Sequence, residues 1–206
     1  YFNDFNDTVI DGWKPYTYWE SGLFMTDMFR FRSSLAPGQA MTGIADFHSG
    51  EWYTDIISST ISNYKVPYWY LETPSFCFDT IDEIIISFDL MCVGEHQFND
   101  YDGGNFQYST NGGTTWSIVD DIYNTGLNWY NYSNLSNLDN EPGWSFHPAG
   151  QTISILDSTR IDASYLHGLE SVVFKYKYRS QWSPYAGINT NGMRIDNLKI
   201  EGYFSD

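Results

Sequence analysis

Two kinds of side chain in this sequence could do chemistry by type and spacing: paired carboxylates and clustered aromatic rings. Asp100 with Asp102, and Asp120 with Asp121, are close enough in sequence to form acid pairs. Two carboxyl groups at the right separation suffice for glycoside hydrolysis. A solvated acidic surface explains these pairs better, because 26 acidic residues stand against 10 basic ones, for a formal charge of −16. No nucleophile elbow, phosphate loop, HExxH or paired-cysteine zinc pattern is present. His48, His96, His147 and His167 are scattered without ligand spacing. His48, beside Asp46 and Glu51, reads as a hydrogen-bonding turn residue rather than a base. The expectation is a protein that is not an enzyme.

The aromatics are the stronger signal. Trp129, Tyr130, Tyr132 and Trp144 lie in a stretch from 124 to 150 rich in Asn, Ser and Gly, and Trp182 and Tyr185 follow in a later loop. Sugars stack their apolar faces on flat rings while amides and carboxylates satisfy their hydroxyls. These six residues are therefore the candidate ligand contacts. The competing reading is that Trp129 and Trp144 pin the long loop onto a sheet.

Asp4, Asp7 and Asp11 near the N terminus, and Asp102 further on, are oxygen donors of the kind calcium takes. Asn and Asp clusters also make turns, which is the plainer role. Cys77 and Cys92 lack metal spacing. If the turn at 79–82 closes a hairpin, the two cannot bond within it, which leaves either a bond between sheets or two small buried hydrophobes.

The elements that must position these residues are strands. Ile84 to Val93, IIISFDLMCV, is a nearly unbroken apolar run suited to burial on both sides, and should be central. PYWYLETPSFCF from Pro67 reads as two strands broken at Thr73-Pro74, and VVFKYKY from Val172 alternates as a strand with one wet face. MRIDNLKIEGYF from Met193 closes the chain as a last strand. Shorter β-type pieces are expected at Val9-Ile10, within 23–32 after an aromatic loop from Trp13, around Ser49-Gly50, and at Gln151–Leu156. A single helical turn is expected from Asp162 to Gly168. Asp102 to Trp116, DGGNFQYSTNGGTTW, reads as a hairpin turning at Asn111-Gly112. Strands recurring between turn signals, without a useful amphipathic helix, give an antiparallel sandwich.

At 206 residues, one domain can bury a substantial core. The acidic balance repels nucleic acid and anionic lipid. No apolar run approaches the roughly 20 residues that span a bilayer, so membrane insertion is not expected. A start at Tyr1, without Met or a signal-like segment, suggests a piece excised from a longer protein.

Ser109, Asn111, Gly113 and Trp116 follow the spacing of the Asp-box, S-x-D-x-G-x-x-W, with Asn in place of Asp. That resemblance implies a folding device in which a side chain caps the turn and Trp116 packs beneath it as core. A wider resemblance covers roughly residues 68 to 204. Tyr70-Leu71-Glu72-Thr73-Pro74, Asp102-Gly103-Gly104 leading into YSTNGGTTW, Asn128-Trp129-Tyr130, Gly143-Trp144, VVFKYKY and Gly192-Met193-Arg194-Ile195-Asp196-Asn197-Leu198 come in order. In that order they resemble the MAM-like, concanavalin-type jelly rolls of secreted and surface proteins of the Bacteroidota, related to cleaved-adhesin and choice-of-anchor domains.

The resemblance implies an all-β fold, a two-sheet antiparallel jelly-roll β-sandwich, at an extracellular or cell-surface location. It implies a non-catalytic adhesion or carbohydrate-binding module whose partners are a glycan or cell-surface protein and the neighbouring domains of its parent. It also implies a structural Ca2+ tying the first strand to the last, with Asp196 as the C-terminal ligand and Asp4 or Asp7 as its N-terminal partner. The alternatives are a structural spacer or protein-binding domain of a large adhesin and, less favoured, a polysaccharide-degrading enzyme.

Overall fold

The described residues fold almost entirely as strands. The computed structural model describes residues 2–3, 12–18, 29–32, 51–54, 68–93, 96–97, 100–101, 103–120, 126–145, 157–179 and 192–204. In order the strands are β1 (Phe2–Asn3), β2 (Lys14–Tyr18), β3 (Phe29–Arg32), β4 (Glu51–Thr54), β5 (Tyr68–Phe76), β6 (Glu83–Val93), β7 (His96–Gln97) and β8 (Asp100–Tyr101). They continue with β9 (Gly103–Ser109), β10 (Ser117–Ile118), β11 (Tyr132–Leu135), β12 (Glu141–Gly143), β13 (Asp157–Asp162), β14 (Val172–Arg179) and β15 (Gly192–Tyr203). Single 3-10 turns lie at Ser136–Leu138 and Ser164–Leu166.

Two antiparallel sheets form the sandwich. One runs β13-β6-β15-β4-β3, with β1 also on β15, and the other runs β10-β9-β14-β5-β2. Strands adjacent in sequence, such as β5 and β6 or β13, β14 and β15, lie in opposite sheets, which is the crossing pattern of a jelly roll. Ile84, Ile86, Phe88, Leu90 and Cys92 alternate along one face of β6 and enter the shared core. Trp69, Leu71, Phe106, Phe174, Tyr176 and Tyr178 meet them from the other sheet. Phe88 sits among the rings of Phe106, Trp129, Trp144 and Tyr176, with centroids 5.4, 6.0, 5.8 and 5.1 Å away. Most of these contacts are edge-on, the arrangement ring quadrupoles prefer.

Several sequence expectations change in detail. β6 is interior and buried on both faces at Ile85 and Met91 as expected, but β15 takes the central place in its sheet. The break at Thr73-Pro74 is a bulge inside one strand: Ser75 pairs with Val173 and Glu72 with Lys175, so two residues of β5 face Phe174 alone. Thr73 Oγ1 accepts the Phe174 N–H at 3.0 Å, satisfying a donor that the irregular ladder leaves over. The stretch 124–150 is not all loop, since β11 and β12 pair as a small sheet. Lys14–Tyr18 is a strand rather than a loop. The turn from Asp162 to Gly168 is present as 3-10, closed at Gly168 with φ 77°. Val9-Ile10, Ser49-Gly50 and Gln151–Leu156 lie outside the described residues.

Cys77 is exposed and Cys92 buried, and the two are not joined as a disulfide, so the bond between sheets is not formed. The Cys92 thiol donates to the Trp144 carbonyl at 3.2 Å. Among the described residues no helix is long and apolar enough to cross a membrane.

Candidate functional site

The site is built on the outer face of the five-stranded sheet. Alternation along β14 sends Val172, Phe174, Tyr176 and Tyr178 into the core and turns Lys175, Lys177 and Arg179 outward. The register sets these cations between two other rows. Lys175 lies opposite Gln107 and Glu72, Lys177 opposite Asn105 and Tyr70, and Arg179 opposite Gly103 and Tyr68. On β2, Tyr16 and Tyr18 take the register positions opposite Tyr70 and Tyr68.

This face is not wet as the alternation of VVFKYKY suggested. Lys175, Lys177, Asn105, Gln107 and Tyr68 are all buried. The small β11-β12 sheet and its 3-10 turn lie over one end of the face, and Asp139 and Asn140, both at φ 61°, reverse the chain there. Asn tolerates the left-handed region better than most residues, and Asp nearly as well. The reversal brings Asp139 Oδ2 to 2.7 Å and Glu141 Oε2 to 2.8 Å from Lys177 Nζ. Glu141 Oε2 also accepts from Asn105 Nδ2 at 3.0 Å and Gln107 Nε2 at 3.1 Å. Burial pushes the Asp139 carboxyl up, but the bonds from Lys177 and Tyr68 outweigh it and hold the group below the usual range. Arg179 donates to the Tyr68 hydroxyl and to the Asn137 carbonyl.

Beside this network is a second, different environment. Lys175 Nζ stands 3.9 Å from the Trp116 ring centroid and 4.8 Å from that of Tyr70, an ammonium held between two half-buried rings. Burial, and then the Lys177 charge, lower its pKa from 10.5 to about 8. Burial, with the neighbouring Tyr68, Asp139 and Glu141 charges, raises that of Tyr70.

The hairpin after β9 positions Trp116. Its turn is longer than two residues, since Ser117 pairs with Tyr108, and the positive φ values fall at Gly112 and Gly113 rather than at Asn111-Gly112. Ser109 Oγ accepts the Gly113 N–H at 2.9 Å, and Asn111 Oδ1 accepts the Thr115 N–H at 2.9 Å. A Cβ at Gly113 would stand 3.3 Å from the Trp116 ring, so glycine serves both the backbone angle and the close approach. Trp116 is thus held against the outer face and is absent from the core, contrary to the expectation that it packs inside.

The aromatic residues singled out from sequence are placed differently. Trp129 is 6% exposed, Tyr130 4% and Trp144 0%, with ring centroids 4.6 to 5.2 Å apart. Their polar atoms are committed as well: Trp129 Nε1 donates to Val119 O, Trp144 Nε1 to Asn128 O, and the Tyr130 hydroxyl to Phe106 O. The three rings fill the core, which corrects the expectation that they face a ligand. The reason is a backbone contact. Gly104 and Trp144 exchange hydrogen bonds of 2.8 and 3.0 Å, drawing the loop onto β9. A Cβ at Gly143 would lie 2.4 Å from the Gly104 carbonyl oxygen, so only glycine permits that approach. Tyr132, at the start of β11, is half-buried. Trp182 and Tyr185 lie outside the described residues, as do Asp4, Asp7, Asp11, Asp102, Asp121 and His48.

Asp196 is buried on β15, directly across from Asp89 on β6. A register shift follows it, with Asn197 at φ 53° donating to Asp89 Oδ2 at 2.7 Å. β1 pairs with Leu198 and Lys199, at the far end of that irregularity.

No family model matches the sequence, and no curated protein matches it. Among solved structures, the fold is similar to the K1 cleaved adhesin domain of Lys-gingipain from Porphyromonas gingivalis W83. The identity is 11% and the TM-score 0.47 over 98% of each chain. It is also similar to the CBM22-2 xylan-binding domain of Paenibacillus barcinonensis Xyn10C, at 14% identity and TM-score 0.42, over 98% of this chain and 99% of that one.

Proposed function

We propose that this chain is a single-domain, non-catalytic carbohydrate-binding or adhesion module of a secreted or cell-surface protein, a MAM-like jelly roll that binds its ligand on the outer face of the five-stranded sheet. One observation carries the proposal: the half-buried rings of Tyr70 and Trp116 lie against Lys175, in a row of polar groups with Glu72 and with Gln107 and Glu141, which are tied to each other. Rings supply stacking area, and pre-positioned polar groups meet hydroxyls without a large ordering cost. The carboxylates of Asp139 and Glu141 are tied to Lys177 and to side-chain amides, which suits holding a ligand better than transferring a proton.

A glycan array read together with tryptophan fluorescence tests this. A sugar that binds the wild type is expected to lose at least tenfold in affinity on Trp116→Ala, while the melting temperature moves only a few degrees. An array on which no sugar binds, or a hit indifferent to Trp116, would favour the spacer or protein-binding role.

Structural calcium is part of the same proposal. Asp196 and Asp89 face each other where the first strand joins the last, and carboxylate oxygens are the donors a hard cation takes. Among the described residues no three acidic, His or Cys side chains gather as a metal site, so the ion needs a further ligand from Asp4 or Asp7. Such an ion would clamp terminal strands that otherwise fray. Chelation is expected to lower the melting temperature of the wild type and to leave that of Asp196→Ala unchanged. Equal melts of the wild type with and without chelator would remove calcium from the account.

A further inference from the structure

Lys175 is the unusual member of the outer face. It is 6% exposed, yet among the described residues no oxygen accepts a hydrogen bond from its Nζ, which lies against the rings of Tyr70 and Trp116. Lys177 and Arg179, one and two positions along the same row, are by contrast committed to Asp139, Glu141, Tyr68 and Asn137. Its stem is buried while its Nζ keeps contact with solvent, so the three N–H donors are served by water rather than by a protein acceptor.

We infer that Lys175 is the anion anchor of the sheet-face site, and that the ligand is an acidic sugar unit, carrying a carboxylate or a sulfate ester, whose ring lies against Trp116. The inference rests on the carbohydrate-binding proposal above and names its ligand class. An anionic oxygen supplies what the site lacks, an acceptor for a charge-assisted hydrogen bond in a partly desolvated place, where such bonds are strongest. Among the described residues, the two carboxylates whose charge reaches Lys175 do not fill the role. Glu141 is held by Lys177, Asn105 and Gln107, and Glu72 acts on Lys175 only through its charge. The lowered pKa of Lys175, about 8, fits an amine that lacks a close anionic partner. The strongly acidic chain repels polyanions at long range, so the preference must come from this one close contact.

The test compares three ligands on the intact chain by calorimetry and tryptophan fluorescence: oligogalacturonate, the same oligosaccharide fully methyl-esterified, and a sulfated galactan oligosaccharide. Esterification removes the charge and keeps the ring, so it isolates the anion. The wild type is expected to bind at least one of the two acidic ligands tenfold or more tightly than the ester. Lys175→Gln should erase that preference, and Lys175→Arg should retain it, which controls for misfolding. Whichever acidic ligand wins identifies the anion as carboxylate or sulfate ester. Equal binding of acid and ester overturns the inference but leaves the sheet-face site standing. An acid preference that survives Lys175→Gln overturns it too, placing the charge contact elsewhere. Failure of all three to bind also overturns it, and the glycan array then decides separately whether the module binds sugar at all.

Discussion

Trp144→Ala is expected to destabilise the fold by about 3–5 kcal/mol, the usual range for deleting a large buried aromatic. In a chain of this size that corresponds to a fall in melting temperature of roughly 6–20 °C. The ring is fully buried, stands within 6 Å of Phe88, Trp129 and Tyr130 by centroid distance, and closes its only polar atom on the Asn128 carbonyl. Truncation leaves a cavity that this ring cluster cannot collapse to fill, because its strands are fixed by the two ladders around it. Urea denaturation followed by circular dichroism measures the loss. A change below about 1 kcal/mol would mean that the ring is not core and would reopen its candidacy as a ligand contact.

The second large effect is a dependence on pH. Lys175 has a pKa near 8 in the folded chain against 10.5 when unperturbed. The difference of about 2.5 sets an upper bound of roughly 3 kcal/mol, at about 1.4 kcal/mol for each tenfold change in proton affinity, and solvent contact at Nζ lowers it. Below pH 8 both the folded and the unfolded chain carry the proton, and folding bears the whole penalty of burying it. Between pH 8 and 10.5 the folded chain releases the proton first, the unfolded chain binds more, and stability rises with pH. Tyr70 and Tyr165, whose hydroxyls are raised mainly by burial, act in the opposite sense above pH 10, so the clean window is pH 8 to 10. Lys175→Met should be more stable than the wild type at pH 7 and should lack the rise. Parallel stability curves for the two proteins across that window would show that Lys175 is not the group responsible.

Much of the fold is legible in the sequence itself. The apolar run at Ile84–Val93, the alternation of VVFKYKY and the recurring turn signals require strands, and strands without helices must pack sheet on sheet. The order of the short glycine and tryptophan motifs was legible too. Their meaning was not: Asp102-Gly103-Gly104 and Gly143-Trp144 lie some forty residues apart, and nothing local shows that Gly104 and Trp144 share hydrogen bonds. That contact carries Trp129, Tyr130 and Trp144 inward. Without it, an aromatic loop rich in Asn and Gly looks like a binding loop.

The outer face was missed for a related reason. YWYLE on β5 and KYKYR on β14 each display their period of two in sequence, which fixes the residues that share a face within one strand. Parity cannot say which strand lies alongside, or in what register. Only the pairing of β14 with both β5 and β9 sets Lys175 between Glu72 and Gln107, and only the Asn111 turn swings Trp116 over it. Strand content, the two-sheet class and which residues share a face within one strand thus follow from local periodicity and composition. The candidate site follows from register and from one long-range backbone contact, because hydrogen bonds between distant strands depend on chain geometry that no single stretch of sequence contains.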